Sequence, residues 1–206
     1  EKPTGEIFAG VGTGTAGTNL GAGIKERNFG GRGIILDSNF NISDTDVRGT
    51  FSVENPNFRD SDRSVKTTIE STSTDLMKTQ GYKNNRTGFS FGTSFEQYEN
   101  IYFSPTLSTY YEKLETSSKA SAAKRKQDGN YFETLFTYGL TLNKLNQNFQ
   151  PSEGYKSSFL QTVPLISDDL TLQNTYKFEQ YFKLVDDMVF SYSIFGKASN
   201  SLSGED

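Results

Sequence analysis

The chain has 206 residues, of which 33% are hydrophobic and 14% aromatic, with a net charge of -4 and a mean hydropathy of -0.62. It contains no Cys and no His, which removes disulfide scaffolds, zinc sites and every mechanism that needs thiolate or imidazole. The acidic balance, with Lys124-Arg125-Lys126 as its basic run, gives no footprint for nucleic acid. No stretch approaches the roughly 18 to 20 apolar residues of a spanning helix, but barrel strands cross with only about 9 to 11 residues, every second one apolar.

Alternation of period two runs through the chain and predicts about eleven strands, since a helix would repeat its apolar positions every three or four residues. Gly5 to Gly14 places Ile7, Ala9 and Val11 on one face, and Asn19 to Asn28 places Leu20, Ala22 and Ile24 there. Ile34, Leu36, Phe40 and Ile42 follow, then Val47, Phe51 and Val53, then Val65, Thr67 and Ile69, each against Asp, Asn, Lys, Glu, Ser or Thr. Phe89, Phe91 and Phe95 begin the second half, followed by Ile101, Phe103, Leu107 and Tyr111, and by Phe132, Phe136, Tyr138, Leu140 and Leu142. Tyr155 to Leu165 is irregular, with Phe159 and Leu160 adjacent, and Pro164, lacking an amide donor, is expected to end it. Leu172, Tyr176, Phe178 and Phe182, then Phe190, Tyr192 and Ile194, complete the series.

Every connection suits an antiparallel hairpin. Those at Asp44-Thr45, Glu99-Asn100 and Val185 to Asp187 are tight, and those at Leu76 to Asn84 and Thr116 to Asn130 are longer. The expected fold is therefore all-β, an antiparallel up-and-down meander, and strands this long with polar alternates favour a transmembrane β-barrel over a soluble sandwich. In such a barrel the apolar set meets lipid and the polar set lines the lumen.

Gly12-Thr13-Gly14-Thr15-Ala16-Gly17 fits a dinucleotide-binding fingerprint, but the segment after it alternates as a strand where that motif needs a helix. Its glycines read as a hairpin and as thin side-chain cover on the first strand. Lys124-Arg125-Lys126 reads as a solvated loop tip, or more sharply as a contact for anionic lipid headgroups. Carboxylates are scattered without a nucleophile or a metal-ligand cluster, so no enzyme activity, cofactor or metal is expected.

Local motifs in order resemble the barrel of the BamA-type assembly factors of the bacterial outer membrane. Gly5-Glu6-Ile7-Phe8-Ala9-Gly10-Val11-Gly12 resembles that family's first barrel strand. Lys25-Glu26-Arg27-Asn28-Phe29-Gly30-Gly31-Arg32-Gly33 resembles its second strand and first periplasmic turn, and is the most specific match. Asn55-Pro56-Asn57-Phe58 is similar to its Asp-Pro-Tyr-Phe turn, and Phe149-Gln150-Pro151-Ser152-Glu153-Gly154 to its aromatic-x-Pro-x-x-Gly turn.

The resemblance implies that residues 1–206 are the N-terminal portion of a barrel domain of the bacterial surface antigen type, with about eleven of its sixteen strands present. The periplasmic domains, the Val-Arg-Gly-aromatic lumen-loop motif and the final strands are expected outside this chain. It further implies insertion of outer-membrane proteins without covalent chemistry, a client's terminal strand adding by β-augmentation to the edge of the first strand at the lateral seam, where that strand pairs weakly with the last. That edge is Glu6, Ile7, Phe8, Ala9, Gly10, Val11, Gly12, Thr13 and Gly14. The implied partners are unfolded outer-membrane clients, outer-membrane lipid and the lipoproteins of the assembly machine. The competing readings are a passive porin, a sister translocation barrel, and a soluble β-sandwich binding module.

Overall fold

The structure, a computed structural model, describes residues 4–14, 17–168, 170–186 and 188–202. Eleven strands follow one another in chain order: β1 (Gly5–Gly14), β2 (Gly17–Phe29), β3 (Ile34–Ser43), β4 (Asp46–Asn55), β5 (Ser64–Leu76) and β6 (Tyr82–Tyr98) form the first six. β7 (Ile101–Thr116), β8 (Gly129–Leu145), β9 (Gly154–Ile166), β10 (Thr171–Val185) and β11 (Met188–Ser201) complete them, with a short helix α1 (Ala122–Lys126) between β7 and β8. They form one antiparallel sheet in sequence order, a pure meander whose outermost strands are β1 and β11. Of the dinucleotide-like motif, Thr15 and Ala16 lie outside the described residues, and Gly14 pairs with Gly17 across the turn, so a strand and not a helix follows.

Directly opposed residues share a face, so the register gives the two surfaces. One apolar row runs Ile7, Ile24, Ser38, Phe51, Ile69, Phe89, and the next polar row runs Thr50, Glu70, Gly88, Tyr110, Glu133. The polar face is the concave one: hollows of about 310, 370 and 390 Å³ open on it, lined by residues such as Asn19, Arg48, Glu70, Arg86 and Glu112. Among the described residues no second layer covers the apolar face, and the buried hydrophobic residues are Leu114 and Ala120. A sandwich would bury that face.

Aromatic contacts link the outward face of β6 to β9: Phe95 meets Phe103 edge-on at 5.8 Å between ring centroids, and Tyr138 stands 6.4 Å from Phe103 and 6.5 Å from Phe159. Phe178, Tyr192, Phe182 and Phe190 continue the series on β10 and β11. At the opposite end of the same face the apolar residues give way to ion pairs, Lys83 with Asp75 at 3.7 Å and Lys113 with Glu115 at 2.7 Å. An apolar band bounded by aromatics and then by charge is the profile of a surface built to cross a bilayer.

Several strands are longer than alternation predicts. β6 starts at Tyr82, and its first turn of sequence, Lys83 to Thr87, is polar on both faces because it stands above the band. β9 runs on to Ile166, so Pro164 does not end it. The proline falls at a register irregularity, where Leu135 opposes Pro164 and Thr134 opposes Ile166, and a bulge tolerates a residue without an amide donor. The adjacent Phe159 and Leu160 are also reconciled: Phe159 points outward, and Leu160 opposes Gly139 on the polar face, where its Cδ1 lies 3.4 Å from the position a Gly139 Cβ would take.

The turn between β2 and β3 is built on glycine. Gly30, Gly31 and Gly33 have φ of 65, 72 and 65°, the left-handed region that favours glycine, and Gly33 N–H donates to Asn28 Oδ1 at 2.7 Å. The turn after Asn55 closes by Phe58 N–H donating to Arg63 O at 2.9 Å.

Candidate functional site

Arg125 and Lys126 are exposed, as a solvated loop tip requires, and Lys124 is half-buried. Ser121 caps α1 by accepting the Lys124 N–H at 3.2 Å, and Arg125 Nη1 donates to the Ser118 carbonyl at 3.0 Å. Lys124 Nζ lies 5.0 Å from the Tyr82 ring centroid and, with Glu112, Glu133 and Asp168, lines a hollow on the polar face. The loop is thus folded over the lumen side, away from the lipid-type face where headgroups would be met. Ser117 N–H donates to Gly81 O at 2.7 Å and the buried Ala120, 4% exposed, packs there, which docks this loop on the β5–β6 turn.

Asp128 ties down the other end of the loop. Its Oδ2 accepts the Thr116 hydroxyl at 2.6 Å and the Thr116 N–H at 2.7 Å, and these bonds, the hydroxyl first, hold its pKa below the ordinary carboxylate value. A lowered folded-state pKa means that the tether is present above the ordinary carboxylate range and is lost as pH falls through the lowered value. With a fluorophore on a cysteine at Ala123, anisotropy is expected to drop over that acidic window. Asp128→Asn is expected to give a low value at every pH; a pH response that survives the substitution would discard this assignment.

On the polar wall, Arg86 stacks 4.0 Å from the Tyr110 ring and lies 3.8 Å from Glu112 and 3.6 Å from Glu133. No group of three or more His, Cys, Asp or Glu able to hold a metal occurs among the described residues.

The nine residues of the sequence-predicted edge all lie on β1, and the structure divides them into two sets. β1 pairs with β2 in an unbroken register from Gly5 opposite Glu26 to Gly14 opposite Gly17. Arg27 N–H donates to Thr4 O at 3.1 Å, which makes Thr4 and Arg27 a hydrogen-bonded pair and fixes the phase of the ladder. Hydrogen-bonded and non-hydrogen-bonded pairs alternate in an antiparallel ladder, so Glu6, Phe8, Gly10, Gly12 and Gly14 turn their backbone groups to β2. Ile7, Ala9, Val11 and Thr13 turn theirs to the other edge, on which no described strand pairs. Their side chains share the outward face, where Ile7 is 81% and Val11 69% exposed. The free backbone donors and the apolar side chains therefore belong to the same residues.

Two contacts at this strand escape a reading of periodicity. Glu6 pairs with Arg27 through Arg27 Nη1, and Phe8 lays its ring on the polar face over Gly23, where a Cβ would overlap it. The signal was the two-residue turn itself: counting back from Gly14 opposite Gly17 sets Phe8 against Gly23.

The Omp85 superfamily domain matches residues 28–206. The chain belongs to the Omp85 superfamily. It also superposes on the crystal structure of BamA from Haemophilus ducreyi lacking POTRA domains 1-3, with a TM-score of 0.78 at 23% identity. That match covers 100% of this chain and 43% of the BamA chain, so it spans less than half of that protein and shows the barrel fold. β1 and most of β2 precede the Omp85 match but fall inside the superposition.

Proposed function

We propose that this Omp85 chain is the N-terminal portion of the barrel of an outer-membrane protein assembly and insertion factor, working in the bacterial outer membrane without covalent chemistry. The observation that supports the reading is the phase of β1: Ile7, Ala9, Val11 and Thr13 turn their backbone groups to the edge away from β2 and their side chains to the outward face. Lipid offers those groups no hydrogen bonds, so an arriving strand that pairs with them is favoured whatever its side chains. Glycine at positions 10, 12 and 14 weakens the hold of β2 on the strand that does the templating.

On this reading the apolar face lies in the bilayer, the concave polar face lines the lumen, and unfolded outer-membrane proteins and assembly lipoproteins are the partners. These 206 residues contain no Cys, so single cysteines placed among them in a cysteine-free form of the complete protein report unambiguously. Cysteines at Ile7 and Ala9 are expected to crosslink to a stalled client, and cysteines at Ile24 and Ala22 on β2 to do so far less. A passive porin would conduct ions and give no client crosslink anywhere along β1, and that outcome would remove the reading.

A further inference from the structure

We infer that Phe8 is a positioning residue: seated over Gly23, it clamps the Gly5–Phe8 part of β1 to β2 and makes Ala9–Gly10 a hinge above which the strand peels away. The inference deepens the templating role and rests on it for its purpose, but not for its geometry. Phe8 and Gly23 are directly opposed in a hydrogen-bonded pair, and a Cβ on Gly23 would overlap the Phe8 ring and come within 2.8 Å of Asn39 Oδ1. An aromatic ring that covers an opposed glycine restores the packing that the glycine lacks. The same device recurs inside the sheet, where the Tyr110 ring covers Gly88, but there both strands are held on two sides. On β1 it acts at an edge.

Beneath Phe8, the Glu6–Arg27 pair and the outward pairing of Ile7 with Ile24 add to the clamp. Above it the polar face offers nothing: Gly10 opposes Gly21, Gly14 opposes Gly17, and a Cβ on Gly10 or Gly12 would meet no atom within 4 Å. That upper half is held by backbone hydrogen bonds and by the outward pairs Ala9–Ala22, Val11–Leu20 and Thr13–Thr18, with no side-chain cover on the polar face of Gly10 and Gly12, the residue type with the most conformational freedom to regain. A strand anchored at one end and loose at the other offers an incoming strand a fixed starting point for register and a movable remainder.

Residue-resolved hydrogen exchange on the complete protein in nanodiscs, without client, tests this directly. The amides that face β2 are the ones to read. Those of Gly10 and Gly12 are expected to exchange at least about tenfold faster than those of Glu6 and Phe8. Phe8→Ala is expected to bring Glu6 up to the rate of Gly10, Gly23→Ala to do the same by displacing the ring, and Phe8→Tyr to restore protection. Unchanged protection in β5 to β8 shows that the barrel itself remains folded. Even protection along β1, or a Phe8→Ala protein whose lower half stays protected, overturns the hinge.

A second readout separates positioning from plain destabilisation. With a stalled client, crosslinks from a cysteine at Ala9 are expected to spread over several client positions in Phe8→Ala and to return to one in Phe8→Tyr. Loss of yield without spreading would assign Phe8 a structural role alone and overturn the inference. Failure of every crosslink with an intact exchange pattern would instead remove templating and leave the hinge standing.

Discussion

Arginine at Phe51 is expected to lower the unfolding free energy of the complete protein in phospholipid vesicles by about 2–4 kcal/mol, whereas arginine at the neighbouring Thr50 is expected to cost under about 1 kcal/mol. The two positions are adjacent on β4 and face opposite ways. Phe51 is opposed by Ile69 on the apolar face, in the middle of the band, where a guanidinium would have to be immersed in hydrocarbon. Thr50 is opposed by Glu70 on the wall of a polar hollow, where a cation gains a partner. Denaturant titration of the two variants reads the difference. Equal costs would mean that lipid does not lie against the apolar face, and the membrane reading of the whole sheet would go with it.

The second large effect separates the two edges of one strand. Ala9→Pro removes a backbone donor from the free edge of β1 and leaves the ladder to β2 intact, and proline is tolerated at an edge. Gly10→Pro removes a donor from the β1–β2 ladder itself and is expected to unfold that hairpin. For Ala9→Pro the barrel is expected to fold normally while insertion of a denatured client into proteoliposomes slows by more than about tenfold. The client carbonyl that should accept from residue 9 is left without a partner in hydrocarbon, a penalty of several kcal/mol. If Ala9→Pro inserts clients at the normal rate, this edge does not template them.

Much of this architecture is legible in the sequence because each strand has one face that must be apolar and one that must not. Phe51 between Thr50 and Ser52, or Phe91 between Ser90 and Gly92, announces a strand and its facing at once. The reading stops where a strand leaves the apolar band. Lys83 to Thr87 of β6 and Ser199 to Ser201 of β11 are strand in a polar environment, so neither face is selected for hydrophobicity and no alternation remains to be read. Leu160 misleads for the reverse reason: an apolar residue on the polar face is explained by the gap at Gly139, a partner 21 positions away in sequence that periodicity cannot see.

The candidate edge divides in the same way. That Gly5 to Gly14 is a strand with Ile7, Ala9 and Val11 on one face follows from local pattern, and the resemblance supplied its role as an edge. Which of its backbone groups are free depends on the phase of pairing with β2, and Phe8 over Gly23 depends on that register too. The basic run of α1 is solvent-facing at Arg125 and Lys126, as its charge predicts, but charge alone says nothing of the Tyr82 ring beside Lys124 or of the Ser118 carbonyl that accepts from Arg125.

The strands differ in the height of apolar surface they present. On β1 it runs from Ile7 to Val11, about 13 Å along the strand and about 10 Å along the barrel axis at a tilt near 40°. On β8 it runs from Phe132 to Leu142, about 33 Å along the strand and about 25 Å along the axis. A bilayer that fits β8 is too thick for β1, so hydrocarbon beside the first strand must either pinch inward or lie against polar backbone, and each costs elastic or solvation energy. Mismatch of this kind is local, falling on the lipid nearest the free edge. On the proposed function, an unfolded strand arriving there would meet a thinner and more strained barrier than it would anywhere along β6 to β8.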